Sequence, residues 1–135
     1  KVVEEFGYEM YMHCGAIRKV LLAWQTPAFI DEYFKNIILH DQAFPHVRPD
    51  DLREELKKIR QDGYAITHGE YVTDALGIGA PVFNSDGELA GSIGIIAPEI
   101  RVDTPEFLDT QKDLVQFYAS SLSADLGYEK HDVFQ

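Results

Sequence analysis

Asn84-Ser85-Asp86-Gly87 separates two apolar runs, residues 76–83 and 88–96, and no other feature limits the fold as much. Asn and Asp favour turn conformations and glycine takes a positive φ without strain, so the two runs are expected to fold back as an antiparallel hairpin. A third short strand is expected over 64–70. Pro81 has no N–H to donate, which places it at a sheet edge or a bulge. Gly77, Gly79, Gly91 and Gly94 interrupt the two runs. Glycine weakens a strand, so it marks a bulge or a close approach to the backbone. Side chains alternate along a strand, so Gly77 and Gly79 share a face, as do Gly94 and Ile96. Two readings follow: these faces border a hollow, or they admit a tight contact between sheet and helix.

Residues 2–12 are rich in β-branched and aromatic types and read as one or two strands. A helix is expected from about Gly15, with Ile17, Val20, Leu21 and Trp24 on its buried face. Thr26-Pro27 reads as an N-cap followed by proline at the first helical position. That second helix would bury Phe29, Ile30, Tyr33, Phe34 and Ile37. Residues 39–49 carry two prolines and no period, as a loop does. A third helix, capped by Asp50 or Asp51, would bury Leu52, Leu56 and Ile59, pair Glu54 with Lys58, and end at Gly63. Thr104-Pro105 opens a long helix to about Gly127, with Phe107, Leu108, Leu114, Val115, Tyr118, Leu122 and Leu126 as its apolar face. This order implies one α+β domain, an antiparallel sheet with helices collected to one side.

Charge limits the partners. Twelve Lys and Arg against 23 Asp and Glu leave a net charge of −11, a surface that repels nucleic acid and anionic membranes. No apolar run approaches the roughly 18 residues of a membrane span. The single cysteine, Cys14, excludes an intramolecular disulfide and suits a reducing compartment such as the cytoplasm. The chain begins at Lys1, as a segment of a longer protein does. Cys14 at a helix start could be a reactive thiolate, although buried cysteine is the commoner case. His13, His40, His46, His68 and His131 show no metal-binding spacing and read as scattered surface residues; neither metal nor cofactor is expected. Glu70, at a strand end, reads as a solvated or hydrogen-bonded structural residue. Gly15-Ala16 is a helix start, where free amides and the helix dipole favour an anion.

The run from Leu52 to Arg101 resembles the effector-binding domain of IclR-type transcriptional regulators. The matching residues are Leu52, Glu55, Leu56, Ile59 and Arg60, then Gly63-Tyr64, Glu70, Gly77-Ile78, Ala80-Pro81-Val82-Phe83, Gly87 and Pro98. The stretch Met12 to Trp24 is similar to the family segment in which His is followed by Gly-Lys and Leu-Ala; Lys19, Leu22 and Ala23 match, while Arg18 replaces the glycine. The resemblance implies a GAF-like fold, an antiparallel sheet flanked by helices, with a cleft for a small-molecule effector. It implies a homodimer or homotetramer, with DNA met only through a winged helix-turn-helix domain absent from this chain, as the first strands of the effector domain would also be.

Carried onto this sequence, the cleft is bounded by Gly15, Ala16, Thr67, Ala75, Gly77, Gly94 and Ile96. Well-known members often place acids, thiols or serines where this chain has Thr67, Gly77, Gly94 and Ile96. A very polar ligand would leave groups unpaired, at roughly 1–3 kcal/mol each. The expected effector is therefore an acid larger or more apolar than a two- or three-carbon oxoacid. Ala16→Trp is expected to fill the cleft with little loss of fold. The alternatives are an oligomerisation module with a vestigial cleft, and an enzyme on a GAF-like scaffold using Cys14.

Overall fold

A computed structural model describes residues 11–39, 47–70, 73–101 and 104–129. The elements run α1 (Ala16–Ala23), α2 (Pro27–Tyr33), a π-helical turn (Phe34–Ile38), α3 (Pro49–Asp62), β1 (Ala65–His68), β2 (Ala75–Phe83), β3 (Leu89–Pro98), a 3-10 turn (Glu99–Arg101) and α4 (Pro105–Asp125). The expected strands at 2–10 lie outside the described residues, and Tyr11 and Met12 are not in a strand.

The sheet is antiparallel in the order β1-β2-β3, with Gly79 opposite both Ala65 and Gly94. Asn84 closes the β2–β3 turn by accepting from the amides of Asp86 and Glu88, each at 3.0 Å, and Gly87 takes φ 78°. Pro81 lies where β2 has run past the end of β1. It faces Ser92 of β3, and its missing donor removes no bond on the open side; an irregularity follows at Val82/Phe83.

Helices lie on both sides of the sheet, not one. Leu76, Ile78, Ala80 and Val82 pack against Val115 and Ala119 of α4. The alternate positions of β2, Gly77 and Gly79, lie under the first turn of α1. Behind α1 stands α3, whose Leu52, Leu56 and Ile59 share a core with Val20, Leu22, Ala23, Phe34, Ile38 and Ala65. Being packed between sheet and α3, α1 buries Ala16, Lys19, Val20, Leu22 and Ala23 rather than a single stripe, so Ile17, Leu21 and Trp24 are only half-buried.

Three caps behave as the sequence suggests. Thr26 and Thr104 accept from the amides of Phe29 and Phe107 at 3.1 and 3.2 Å. Gly63 ends α3 at φ 80°. The start of α3 differs: Arg48 is the N-cap without a side-chain bond and Pro49 takes the first helical position, which leaves Asp50 and Asp51 inside the first turn where they favour the helix dipole. On its surface Glu54 pairs with Lys57 and Lys58 with Asp62, not Glu54 with Lys58.

Two expected apolar faces are displaced. In the second helix Phe34 is buried as expected, but the wide turn closed by Leu39 N–H to Phe34 O brings Ile38 rather than Ile37 inward, and Phe29 is exposed. In α4 Val115 is buried as expected, but the other buried positions are the small Ala119 and Ser123, because the helix lies close to β2. Ser123 Oγ accepts from Phe83 N–H at 2.9 Å and donates to Ala119 O at 2.8 Å. Phe107, Leu114, Tyr118, Leu122 and Leu126 point away from the sheet.

Candidate functional site

The close seat of α1 on the sheet is set by glycines. A Cβ on Gly79 would stand 3.1 Å from the Ala16 carbonyl group and from Ile17 Cα. One on Gly94 would collide with Ile78 O and press on the Ile17 side chain. Ser92 adds a hydrogen bond to Ile17 O at 2.9 Å. Gly79 and Gly94 therefore serve helix–sheet contact.

Gly77, one row further along, is different. Its absent Cβ leaves space between Thr67 Oγ1, which would be 2.9 Å away, and Ala16, whose amide nitrogen would be 3.6 Å away. Here lies a hollow of about 20 Å³ lined by Ala16, Ile17, Arg18, Thr67, Ala75, Gly77, Ile95 and Ile96. That is room for about one water. The amides opening α1 have no acceptor within the helix, and the Ala16 amide borders this space. Thr67 is 4% exposed, and its side chain lines this space. Arg18 places a cation on the same wall.

Of the sequence-predicted residues, Ala16, Thr67, Ala75, Gly77 and Ile96 come together around the hollow. Gly94 sits beneath Ile17. Gly15, at φ 93°, donates its amide to the Glu70 carboxylate at 3.3 Å. Ile17, Arg18 and Ile95 were not foreseen; the replacement of the family glycine by Arg18 was the available signal. Ala16 is 3% exposed and its Cβ would be 3.4 Å from one on Gly77, so Ala16→Trp cannot leave the fold intact as expected.

Next to the hollow is an ionic cluster centred on buried Lys19. Lys19 Nζ lies 2.8 Å from Glu55 and 2.7 Å from Glu70. Glu70 is thus hydrogen-bonded rather than solvated: it joins Gly15, Lys19 and, through its carbonyl, the Cys14 thiol at 3.2 Å. Burial, then the Glu70 charge, raises the Cys14 pKa above its ordinary 9.0, which opposes a thiolate nucleophile. His13 is fully buried, not a surface residue, with Nδ1 2.8 Å from Tyr33 OH. His68 is exposed and pairs with Glu99, while His40, His46 and His131 lie outside the described residues. Among the described residues no group of three or more His, Cys, Asp or Glu could hold a metal.

The fold is that of a GAF-like domain, and comparison with known proteins gives the family. The model of the bacterial transcriptional regulator IclR C-terminal domain matches residues 1–124. The chain belongs to the IclR family of transcriptional regulators, as the C-terminal domain. It is 30% identical over 125 residues to the HTH-type transcriptional regulator RhmR of Escherichia coli, covering 91% of this chain and 47% of that protein. Among solved structures, Thermotoga maritima IclR superposes with a TM-score of 0.79 at 27% identity, over 94% of this chain and 51% of that one. The inducer-binding domain of PobR from Acinetobacter, solved as a double mutant with 3-hydroxybenzoic acid, gives 0.74 at 22% identity, over 88% and 69%. The chain spans about half the length of the curated relatives it matches. No described helix is long and apolar enough to cross a membrane.

Proposed function

We propose that this domain senses a small organic acid and so controls DNA binding by an attached winged helix-turn-helix domain. The single observation that carries this reading is the hollow between the opening amides of α1 and Gly77, with the buried Thr67 side chain beside it. The acid's carboxylate meets the amides of Ala16 and Ile17 and the Arg18 cation; its body lies over Gly77 against Ala75 and Ile96. This agrees with helix N-termini as anion sites. The 3-hydroxybenzoic acid bound to the PobR domain gives an aromatic precedent within the fold.

A hollow of about 20 Å³ is too small for such a ligand, so binding widens it. Ile96 is 36% exposed, and it and Arg18 are the side chains that move. The lining is mostly apolar, which favours a branched or aromatic monocarboxylate over a two- or three-carbon oxoacid. The domain acts in the cytoplasm as a homodimer or homotetramer, completed by its own first strands and the DNA-binding domain. Coupling requires only that the ligand bind one inter-subunit geometry better than another.

A thermal-shift screen tests this. Binding at one hundred times Kd stabilises by about 2.7 kcal/mol, an easily read shift. Aromatic or branched acids are expected to raise Tm. Stabilisation by small oxoacids alone contradicts the ligand class, and no stabilisation by any acid favours an oligomerisation module with a vestigial cleft.

A further inference from the structure

A wider depression with an apolar floor lies elsewhere, between α2 and α3. Its volume is about 460 Å³, within the ordinary range of small-molecule sites. Ala23, Ile30 and Leu56 form its floor, and Arg53, Lys57 and Arg60 stand along its α3 wall. These cations recur at i, i+4 and i+7, one helical face spanning roughly 10 Å at 1.5 Å per residue. Such a stripe inverts the local charge on a chain of net charge −11.

The stripe has a compensated end and an uncompensated end. Arg53 is held by Asp31 of α2 at 3.2 Å and lies over the Phe34 ring at 4.1 Å. Lys57 reaches Glu54 only at 3.4 Å, both largely exposed. Arg60 meets no carboxylate among the described residues; it donates to Ala23 O at 3.4 Å and lies 5.9 Å from the Trp24 ring. Gln25 and Gln61 line the depression as well. One end therefore offers two cations and amides, and the other offers Pro27, Ile30 and the flank of Leu56.

We propose that this groove is a second ligand site, separate from the hollow under α1, for an amphipathic monocarboxylate. The carboxylate sits between Lys57 and Arg60, and the apolar body runs toward Ile30 and Pro27. Neither the sheet glycines nor the opening of α1 takes part, so the site stands or falls independently of the proposed effector hollow.

Titration of the 15N-labelled protein with 4-phenylbutyrate tests it, with its neutral amide and 4-phenylbutylamine as controls. The acid is expected to shift the amides of Ile30, Leu56 and Gln61 and to perturb the fluorescence of Trp24, the only tryptophan; the two controls are not. A charge-assisted hydrogen bond is worth enough to change affinity about tenfold. Lys57→Gln with Arg60→Gln should weaken binding at least about tenfold, and Lys57→Gln alone, at an exposed position, about threefold. Lys58→Gln on the opposite flank should leave the shifts at Ile30, Leu56 and Gln61 unchanged. Equal affinity in the Lys57→Gln variant, equal binding of the amine, or shifts confined to Ala16 and Gly77 would overturn the proposal.

Discussion

At the scale of single residues, the glycines of β2 and β3 are not equivalent. Gly94→Ala drives a methyl group into Ile78 O and the Ile17 side chain, whereas a Cβ on Gly91 meets nothing within 4 Å. Overpacking at the first should cost about 3 kcal/mol or more, and Gly91→Ala should change stability by less than about 1 kcal/mol; urea unfolding of the pair reads the contrast. Lys19 presents the opposite problem. At 1% exposure between Glu55 and Glu70, its removal in Lys19→Ala leaves two carboxylates facing each other without a cation. Because Glu55 and Glu70 keep partial access to water, the cost should fall below the roughly 3–5 kcal/mol of a fully buried pair. Lys19 and Glu70 match family positions, yet nothing local in the sequence says that they touch, since 51 residues separate them. The pH dependence at the alkaline end follows from Cys14 and Tyr33, both raised above their ordinary 9.0 and 10.0 chiefly by burial. Below pH 9 both groups are protonated in folded and unfolded chains and add no slope. Above it the unfolded chain releases protons that the folded chain retains, so stability falls as pH rises past 9 and further past 10. Chemical unfolding from pH 8 to 11 should show this fall, and Cys14→Ala should remove its first part.

At the scale of elements, short-range signals were legible and faces were not. The Asn84–Gly87 turn, the Thr26 and Thr104 caps and the Gly63 terminator each depend on residues within a few positions, and each forms where the sequence places it. Thr104→Ala should therefore cost about 1 kcal/mol by loss of the bond to Phe107 N–H, measurable as a lowered urea midpoint. The buried side of α4 was misread because large apolar residues suggest a core while small ones permit contact. Val115, Ala119 and Ser123 let the helix approach β2, and Phe117 at 64% exposure points outward with Leu114 and Tyr118. The same rule governs α1, where Ala16 meets Gly77 and Gly79 and the half-buried Ile17 rests on Gly94. Placing helices on a single side of the sheet failed for a related reason. Alternation on β2 gives two apolar faces, one of branched side chains for α4 and one of glycines for α1, and the glycine face reads as weak in sequence alone.

At the scale of the molecule, the family likeness and the physical reading meet at one place and part at another. Both lead to the space among Ala16, Thr67, Ala75, Gly77 and Ile96, five of the seven residues expected there. The remaining two, Gly15 and Gly94, serve the structure that holds the space: one is tied to Glu70, the other seats Ile17. The ionic cluster of Lys19, Glu55 and Glu70 joins α1, beside the hollow, to α3. The most direct test of ligand binding at this hollow is an amide-resolved titration with benzoate, comparing the unaltered chain with Thr67→Val. The account predicts that the largest shifts fall on Ala16, Ile17 and Gly77, and that loss of the hydroxyl weakens binding about tenfold. Saturating benzoate that leaves those three amides unmoved, or a Thr67→Val chain that binds with equal affinity, would contradict it.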